Sequence, residues 1–292
     1  MKKNVLITGG FGLLGQSLVR KLNFSQYKIF ILDKKKYKKK NKFLYIFFKN
    51  VKILHGDFND HKFIFNLIKK NNIKIKSGYC LRLHPAVIEL KKIIDNNLKN
   101  ILKININTNS YLPSWRKQNY KNSVSAKKIE GGGVINELSH ELDLILYLFG
   151  KPKSLYANYL NTNYLKIDTE DVADIIFSMN KKLNLNLHID FCSLFEKREV
   201  EVILKNKKKI LLDLNKNCIS ISNLKKTITK NFNLKKNFYV NAQITEMIKI
   251  SNNSNKTSWM SELKDAIYVL YIIKQIRISN SKKKLVHIEK EL

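Results

Sequence analysis

In the stretch LNLNLHIDF at 183–191, Leu183, Leu185, Leu187, Ile189 and Phe191 point one way, while Asn184, Asn186, His188 and Asp190 point the other. A period of two predicts a half-buried β-strand, with one face covered and one wet. Runs at 154–160, 171–179, 198–204 and 208–222, with the alternating ILKININTNSY at 101–111, extend this strand into a large, mainly antiparallel sheet. NELSHELDLILYLFG (136–150) carries apolar positions at helical spacing and stops at Gly150, with Pro152 beyond, so it predicts one amphipathic helix. Two further helices are expected at about 239–251 and 259–278.

The first part of the chain has a different rhythm. Strand-like runs at 4–8, 28–33, 51–57 and 73–81 alternate with helical patterns at 13–22 and 61–70, and a helix follows His84-Pro85 to about residue 96. Alternating strands and helices predict a parallel sheet. The expected fold class is therefore α/β: a truncated Rossmann-like parallel sheet over 1–77, then an α+β domain with a large, mainly antiparallel sheet over 78–292.

Composition narrows the function classes. Lys+Arg 55 against Asp+Glu 23 gives a net charge of +32, but arginine occurs only at 20, 82, 116, 198 and 277. Readers of base edges rely on arginine's bidentate fork, so this charge favours a solvated lysine surface, as in KKKYKKKNK at 34–42, over nucleic-acid binding. No apolar run reaches the roughly 18 residues of a membrane span. Cys80, Cys192 and Cys218 form no CxxC pair, which suits a reducing compartment; a cytoplasmic protein without membrane insertion is expected.

Glycine marks the candidate chemistry. Seven of the ten glycines fall in two clusters, Gly9, Gly10, Gly12, Gly15 and Gly131, Gly132, Gly133. Thr8-Gly9-Gly10-Phe11-Gly12-Leu13-Leu14-Gly15 follows a strand and opens a helix, and Asp33 ends the next strand. That order suits a dinucleotide: the backbone approaches a pyrophosphate at a helix N-terminus, and the acid accepts from the adenosine ribose. Lys34 to Lys36 can neutralise a 2′-phosphate there, so both NAD and NADP stay open as cofactors. In the second cluster the glycines precede Glu137 and His140, which would stack one turn apart on a continuous helix. A histidine beside a carboxylate can act as general acid–base near neutral pH; a surface helix facing water reads equally well. With no second histidine at i+4 and no ligand cluster nearby, no metal site is expected.

Residues 3–60, through the glycine loop and His55-Gly56-Asp57, resemble the extended short-chain dehydrogenases/reductases, whose loop reads TGGxGxxG. That resemblance implies cofactor contacts from Thr8, Gly9, Gly10, Gly12, Leu13, Leu14, Gly15, Asp33 and Asp57. From about 75 to 292 the chain resembles the glucose–fructose oxidoreductase/inositol dehydrogenase (Gfo/Idh/MocA) family. GGGVINELSHELDLILYLFG is similar to its core motif, GYCLRLHPAVIELKKII (78–94) to its crossover, and DAIYVLYIIKQIRIS to its last helix. SYLPSWRKQNYKNSVSAKK (110–128) is similar to a substrate-loop pattern of a branch found with surface-sugar biosynthesis.

This resemblance implies that His140 exchanges the proton of a sugar hydroxyl while hydride passes to or from the nicotinamide, with Glu137 nearby. The family's acid sits four residues before the histidine, where this chain has Asn136. Arg82, Tyr111, Trp115, Arg116 and Asn136 would line a pocket for a small-molecule sugar. Homo-oligomers through the C-terminal sheet are expected on the same ground. The chain departs from the pattern in having no Glu-Lys-Pro before the crossover, and Asp57 to Gly78 has room for only one helix and one strand. The resemblance therefore implies either a sugar oxidoreductase or a catalytically impaired nucleotide- or sugar-binding protein of the same fold.

Overall fold

The computed structural model describes residues 3–8, 19, 27–33, 51–55, 76–251 and 259–289. The chain divides into two compact units, Met1–Lys76 with Val240–Ser258 and Ser77–Tyr239 with Trp259–Leu292.

The first unit holds three parallel strands, β1 (Lys3–Thr8), β2 (Tyr27–Asp33) and β3 (Val51–His55), in the order β1-β2-β3. Ile7, Ile29 and Ile31 are buried and share one face of this sheet, Ile7 lying level with Ile31. Thr8 is level with Leu32 and Asp33 with His55, so all three strands end together at their carboxyl ends.

The second unit is built on nine strands, ordered β11-β10-β9-β8-β4-β7-β6-β5-β12. These are β4 (Ile101–Tyr111), β5 (Ser154–Leu160), β6 (Val172–Asn180), β7 (Leu183–Asp190), β8 (Cys192–Leu204), β9 (Lys209–Asp213), β10 (Cys218–Ser222), β11 (Thr227–Asn231) and β12 (Val286–His287). Among neighbouring strands only β4 and β7 run parallel, so the sheet is mainly antiparallel. One face carries Ile104, Ile106, Ile175, Phe177, Leu185, Leu187, Val200 and Val202, all buried. The helices α1 (Pro85–Asp95), α2 (Val134–Glu137), α3 (Ser139–Phe149) and α5 (Leu263–Lys282) complete that core: α5 lies on β5, α3 on α5, and α1 on α3. A further helix, α4, runs over Phe238–Ser251.

Three expectations are corrected. In the run 73–81, residues 73–75 lie outside the described residues, and Cys80–Leu83 is a 3₁₀ turn rather than a strand. Leu81, Arg82 and Leu83 are buried in succession, which a strand with alternating faces cannot provide. The helix predicted at 136–150 is two helices broken at Leu138. The last helix starts at Leu263 instead of 259, because Glu262 caps it and the Asp265 carboxylate answers the Glu262 N–H in a capping box.

The open face of the sheet carries a polar network beside the exposed cross-strand pair Tyr156 and Ile176. Asn186 donates to Asn105, which donates to Glu201, which pairs with Lys209. His188 stands between two carboxylates, with Nδ1 2.7 Å from Asp174 and Nε2 3.2 Å from Asp190. The bond to Asp190 outweighs burial and, with Asp174, raises the imidazole to about 9. Its stabilising effect is complete below the unfolded value near 6.5 and fades as pH rises through about 9. NMR titration of Asp174→Asn is expected to return His188 toward its ordinary value; an unchanged midpoint would contradict the pairing.

Gly133 has φ +107, and a Cβ there would overlap the Glu170 carboxylate. Gly133→Ala is expected to cost about 1–3 kcal/mol in urea unfolding. A loss under a few tenths would show that the turn yields freely.

Candidate functional site

The site of the second unit is assembled where the glycine turn meets α2 and α3. Gly133 begins α2 without a side-chain cap, and its N–H donates to the Ser125 carbonyl. At Leu138 (φ −96, ψ 25) the helix is interrupted, and α3 begins at Ser139, also without a side-chain cap. His140 thus lies in the first turn of α3, across a break from Glu137. The clean one-turn stacking predicted from the sequence is not how they meet, although the Glu137 charge still acts on the imidazole.

One turn further on, Asp143 anchors the helix. Arg82 donates to it through Nε (2.8 Å) and Nη2 (2.7 Å), and through Nη1 to Asp265 (2.9 Å). Ser261 Oγ adds a bond of 3.0 Å to Asp143. Burial opposes charge on Arg82, but the bonds and field of Asp143 prevail and hold the guanidinium above its ordinary value. The 3₁₀ turn, α3 and the start of α5 are therefore tied by one buried ionic cluster.

His140 is half-buried, with the Tyr79 ring edge-on at 5.4 Å. Burial pushes the imidazole below its ordinary value, the Glu141 charge pulls the other way, and Arg198 lowers it again. Its Nδ1 is buried with no hydrogen-bond partner among the described residues. Glu141 is fully buried and accepts from Thr108 Oγ1 at 3.0 Å. Arg198 Nε stands 2.8 Å from the same carboxylate oxygen, an ion pair set off the line of a linear hydrogen bond.

The predicted site residues fall into several places. Gly9, Gly10, Gly12, Leu13, Leu14, Gly15 and Asp57 lie outside the described residues, while Thr8 and Asp33 end adjacent parallel strands. Arg82, expected to line a sugar pocket, is spent on Asp143 and Asp265 inside the protein. Asn136, expected beside the substrate, donates to the Gly131 carbonyl (2.8 Å) and accepts from Arg277 (3.2 Å), so its amide holds the glycine turn. Tyr111 ends β4, Trp115 packs edge-on against Phe191 at 5.1 Å, and Arg116 is exposed. Among the described residues no cluster of three His, Cys, Asp or Glu side chains could hold a metal, and no helix is long and apolar enough to cross a membrane.

Sequence reasoning places Glu141 on the same helix face as His140 but gives no role to it, to Thr108 or to Arg198. A signal was present: in a chain that uses lysine almost everywhere, the rare arginines 82, 198 and 277 all pair with carboxylates in the structure. Arginine's fixed, planar, weakly hydrated fork suits such partly buried pairs better than lysine.

Residues 91–272 match the family described as "Oxidoreductase family, C-terminal alpha/beta domain" (GFO_IDH_MocA_C), and residues 5–76 match the "NAD dependent epimerase/dehydratase family". No curated protein matches the chain. Among solved structures, an oxidoreductase from Agrobacterium radiobacter in complex with NAD+, L-tartaric acid and magnesium aligns with 13% identity and a TM-score of 0.73, over 98% of each chain. Levoglucosan dehydrogenase in complex with NADH and levoglucosan aligns with 14% identity and a TM-score of 0.72, over 99% of this chain and 100% of that one. The super-repressor mutant of Gal80p from Saccharomyces cerevisiae aligns with 12% identity and a TM-score of 0.66, over 97% and 89%. At these identities the likeness is one of fold, whereas the family match spans more than half of the chain: the protein belongs to the Gfo/Idh/MocA oxidoreductase family.

Proposed function

We propose that the protein is an NAD(P)-dependent oxidoreductase acting on a hydroxyl or carbonyl of a sugar or nucleotide-activated sugar, with His140 as the acid–base group. The observation that carries this reading is a half-buried histidine, kept neutral by burial, in the first turn of a helix anchored by an internal ionic cluster. Neutral imidazole is the form that accepts a proton from a hydroxyl as it is oxidised, and the protonated form returns it in the reverse direction. Glu141 and, more weakly, Glu137 favour the protonated form, while burial prevails.

The three parallel strands of the first unit support the cofactor assignment. Their carboxyl ends meet at Thr8, Asp33 and His55, the end at which open α/β sheets bind nucleotides, and the glycine-rich sequence follows Thr8 directly. Backbone N–H groups from Gly9 to Gly15 would hold the pyrophosphate, Asp33 the ribose and Asp57 the adenine. When bound, the nicotinamide donates or accepts hydride. The bound NADH and levoglucosan of one neighbour, and the NAD+ of another, support a nicotinamide cofactor and a polyhydroxylated substrate. Tyr111, Trp115 and Arg116 are the remaining substrate candidates, a role in surface-polysaccharide biosynthesis follows from the 110–128 pattern, and the open face of the sheet is the proposed homo-oligomer surface. A cytoplasmic location completes the reading.

A second reading is a nucleotide- or sugar-binding protein of this fold without turnover. The missing Glu-Lys-Pro favours it, and a neighbour known as a super-repressor mutant shows the fold outside a dehydrogenase name. Titration with NAD(H) and NADP(H) is expected to saturate below millimolar. His140→Ala should lower turnover by about 10²–10⁴-fold while sparing dinucleotide binding. Binding without turnover across a panel of sugars and nucleotide sugars would favour the second reading, and no saturable binding would defeat both forms of the cofactor assignment.

A further inference from the structure

Helix α3 begins without a side-chain cap, directly after a break, so its own first turn does little to fix the direction of His140. The residue after the histidine supplies the missing constraint. Glu141 is fully buried, and its Oε1 is reached by Thr108 Oγ1 at 3.0 Å and Arg198 Nε at 2.8 Å. Thr108 and Arg198 are direct cross-strand partners on β4 and β8, on the face of the sheet that the helices cover. A buried carboxylate with a half-exposed guanidinium and a hydroxyl is a costly way to pack a helix, because an apolar side chain would do it more cheaply. Its arrangement makes sense as an orienting device.

We propose that Thr108 and Arg198, acting through Glu141, are the positioning residues of His140, locking the first turn of α3 to two adjacent strands. Glu141 Oε2 is buried without a hydrogen-bond partner, so among the described residues the polar restraints on that carboxylate come from the two strand residues and converge on one oxygen. The ionisable groups that touch or influence the imidazole are Glu137, Glu141 and Asp143 from its own helical segment, Tyr79 from just before the 3₁₀ turn, and Arg198 from β8. Asp143 and Glu137 act on the imidazole in the same sense as Glu141, and Arg198 acts in the opposite sense, so Glu141 and Arg198 form an ion pair whose two charges pull His140 in opposite directions. Shifting the balance between them should move the histidine's titration in a direction set by which partner is removed.

This inference rests on reading His140 as the acid–base group, but its test does not need turnover. NMR titration of the histidines is expected to show the His140 midpoint moving down in Glu141→Gln and up in Arg198→Met. Arg198→Lys, which keeps the charge, should restore it. His188, on the opposite face of the sheet, reports whether each variant is folded by holding its midpoint at about 9. Should either charge variant lose that marker, Thr108→Val and Thr108→Ser keep both charges: amide exchange over 139–142 should quicken at least tenfold in the valine variant and recover in the serine one. Folded charge variants with an unmoved His140, or Thr108→Val with unchanged exchange, would overturn the positioning role. If the histidine shifts as expected in a protein that turns over no sugar, the positioning holds and the oxidoreductase reading falls.

Discussion

The bidentate pair between Arg82 and Asp143 is the constraint on which the rest of the second unit's site depends. Its two ions are 61 residues apart in sequence and almost wholly withdrawn from water. Removing one partner of such a pair generally costs about 3–5 kcal/mol, because the other charge is stranded. Arg82 also reaches Asp265, which itself completes the capping box of α5, so one guanidinium fixes where three segments begin. His140 lies one turn before Asp143, and its position follows from that anchor.

Around this anchor the chain uses its few arginines with economy. Lysine covers the surface, where a flexible, strongly hydrated ammonium is adequate, while Arg82, Arg198 and Arg277 serve carboxylates within the fold. Arg277 braces the glycine turn through Asn136 and Glu170; Arg198 braces the first turn of α3 through Glu141. The large positive charge is thus mostly a property of the solvated exterior, and the site depends on a handful of ions taken out of solvent.

Much of the architecture was legible because strands with one covered face repeat every two residues. ILKININTNSY and LNLNLHIDF became β4 and β7 within a residue of their predicted bounds. Where burial does not alternate, the reading failed. CSLFEK, the first half of β8, exposes Leu194 and Phe195 in succession, and β11 is exposed throughout, so neither showed a period. The interruption at Leu138 was hidden because the apolar spacing of 136–150 continues across it. His140 and Glu137 could be picked out from their neighbours in sequence. Glu141 could not be separated from a solvent-facing acid, since its partners come from strands 33 and 57 residues away. Arg82 and Asn136 were recognised as important for the wrong reason: their partners are protein groups, and no local pattern distinguishes a buried ion pair from a pocket-lining cation.

Transfer of deuterium from C4-deuterated NADH or NADPH to a panel of keto- and aldo-sugars, free and nucleotide-activated, tests the hydride chemistry most directly. Mass spectrometry of the recovered sugar is expected to show one deuterium on a carbinol carbon in the wild-type protein, formed at a rate about 10²–10⁴-fold lower when His140 is replaced by alanine. Full retention of the label on the dinucleotide with every sugar, in a protein that binds the dinucleotide, would contradict it.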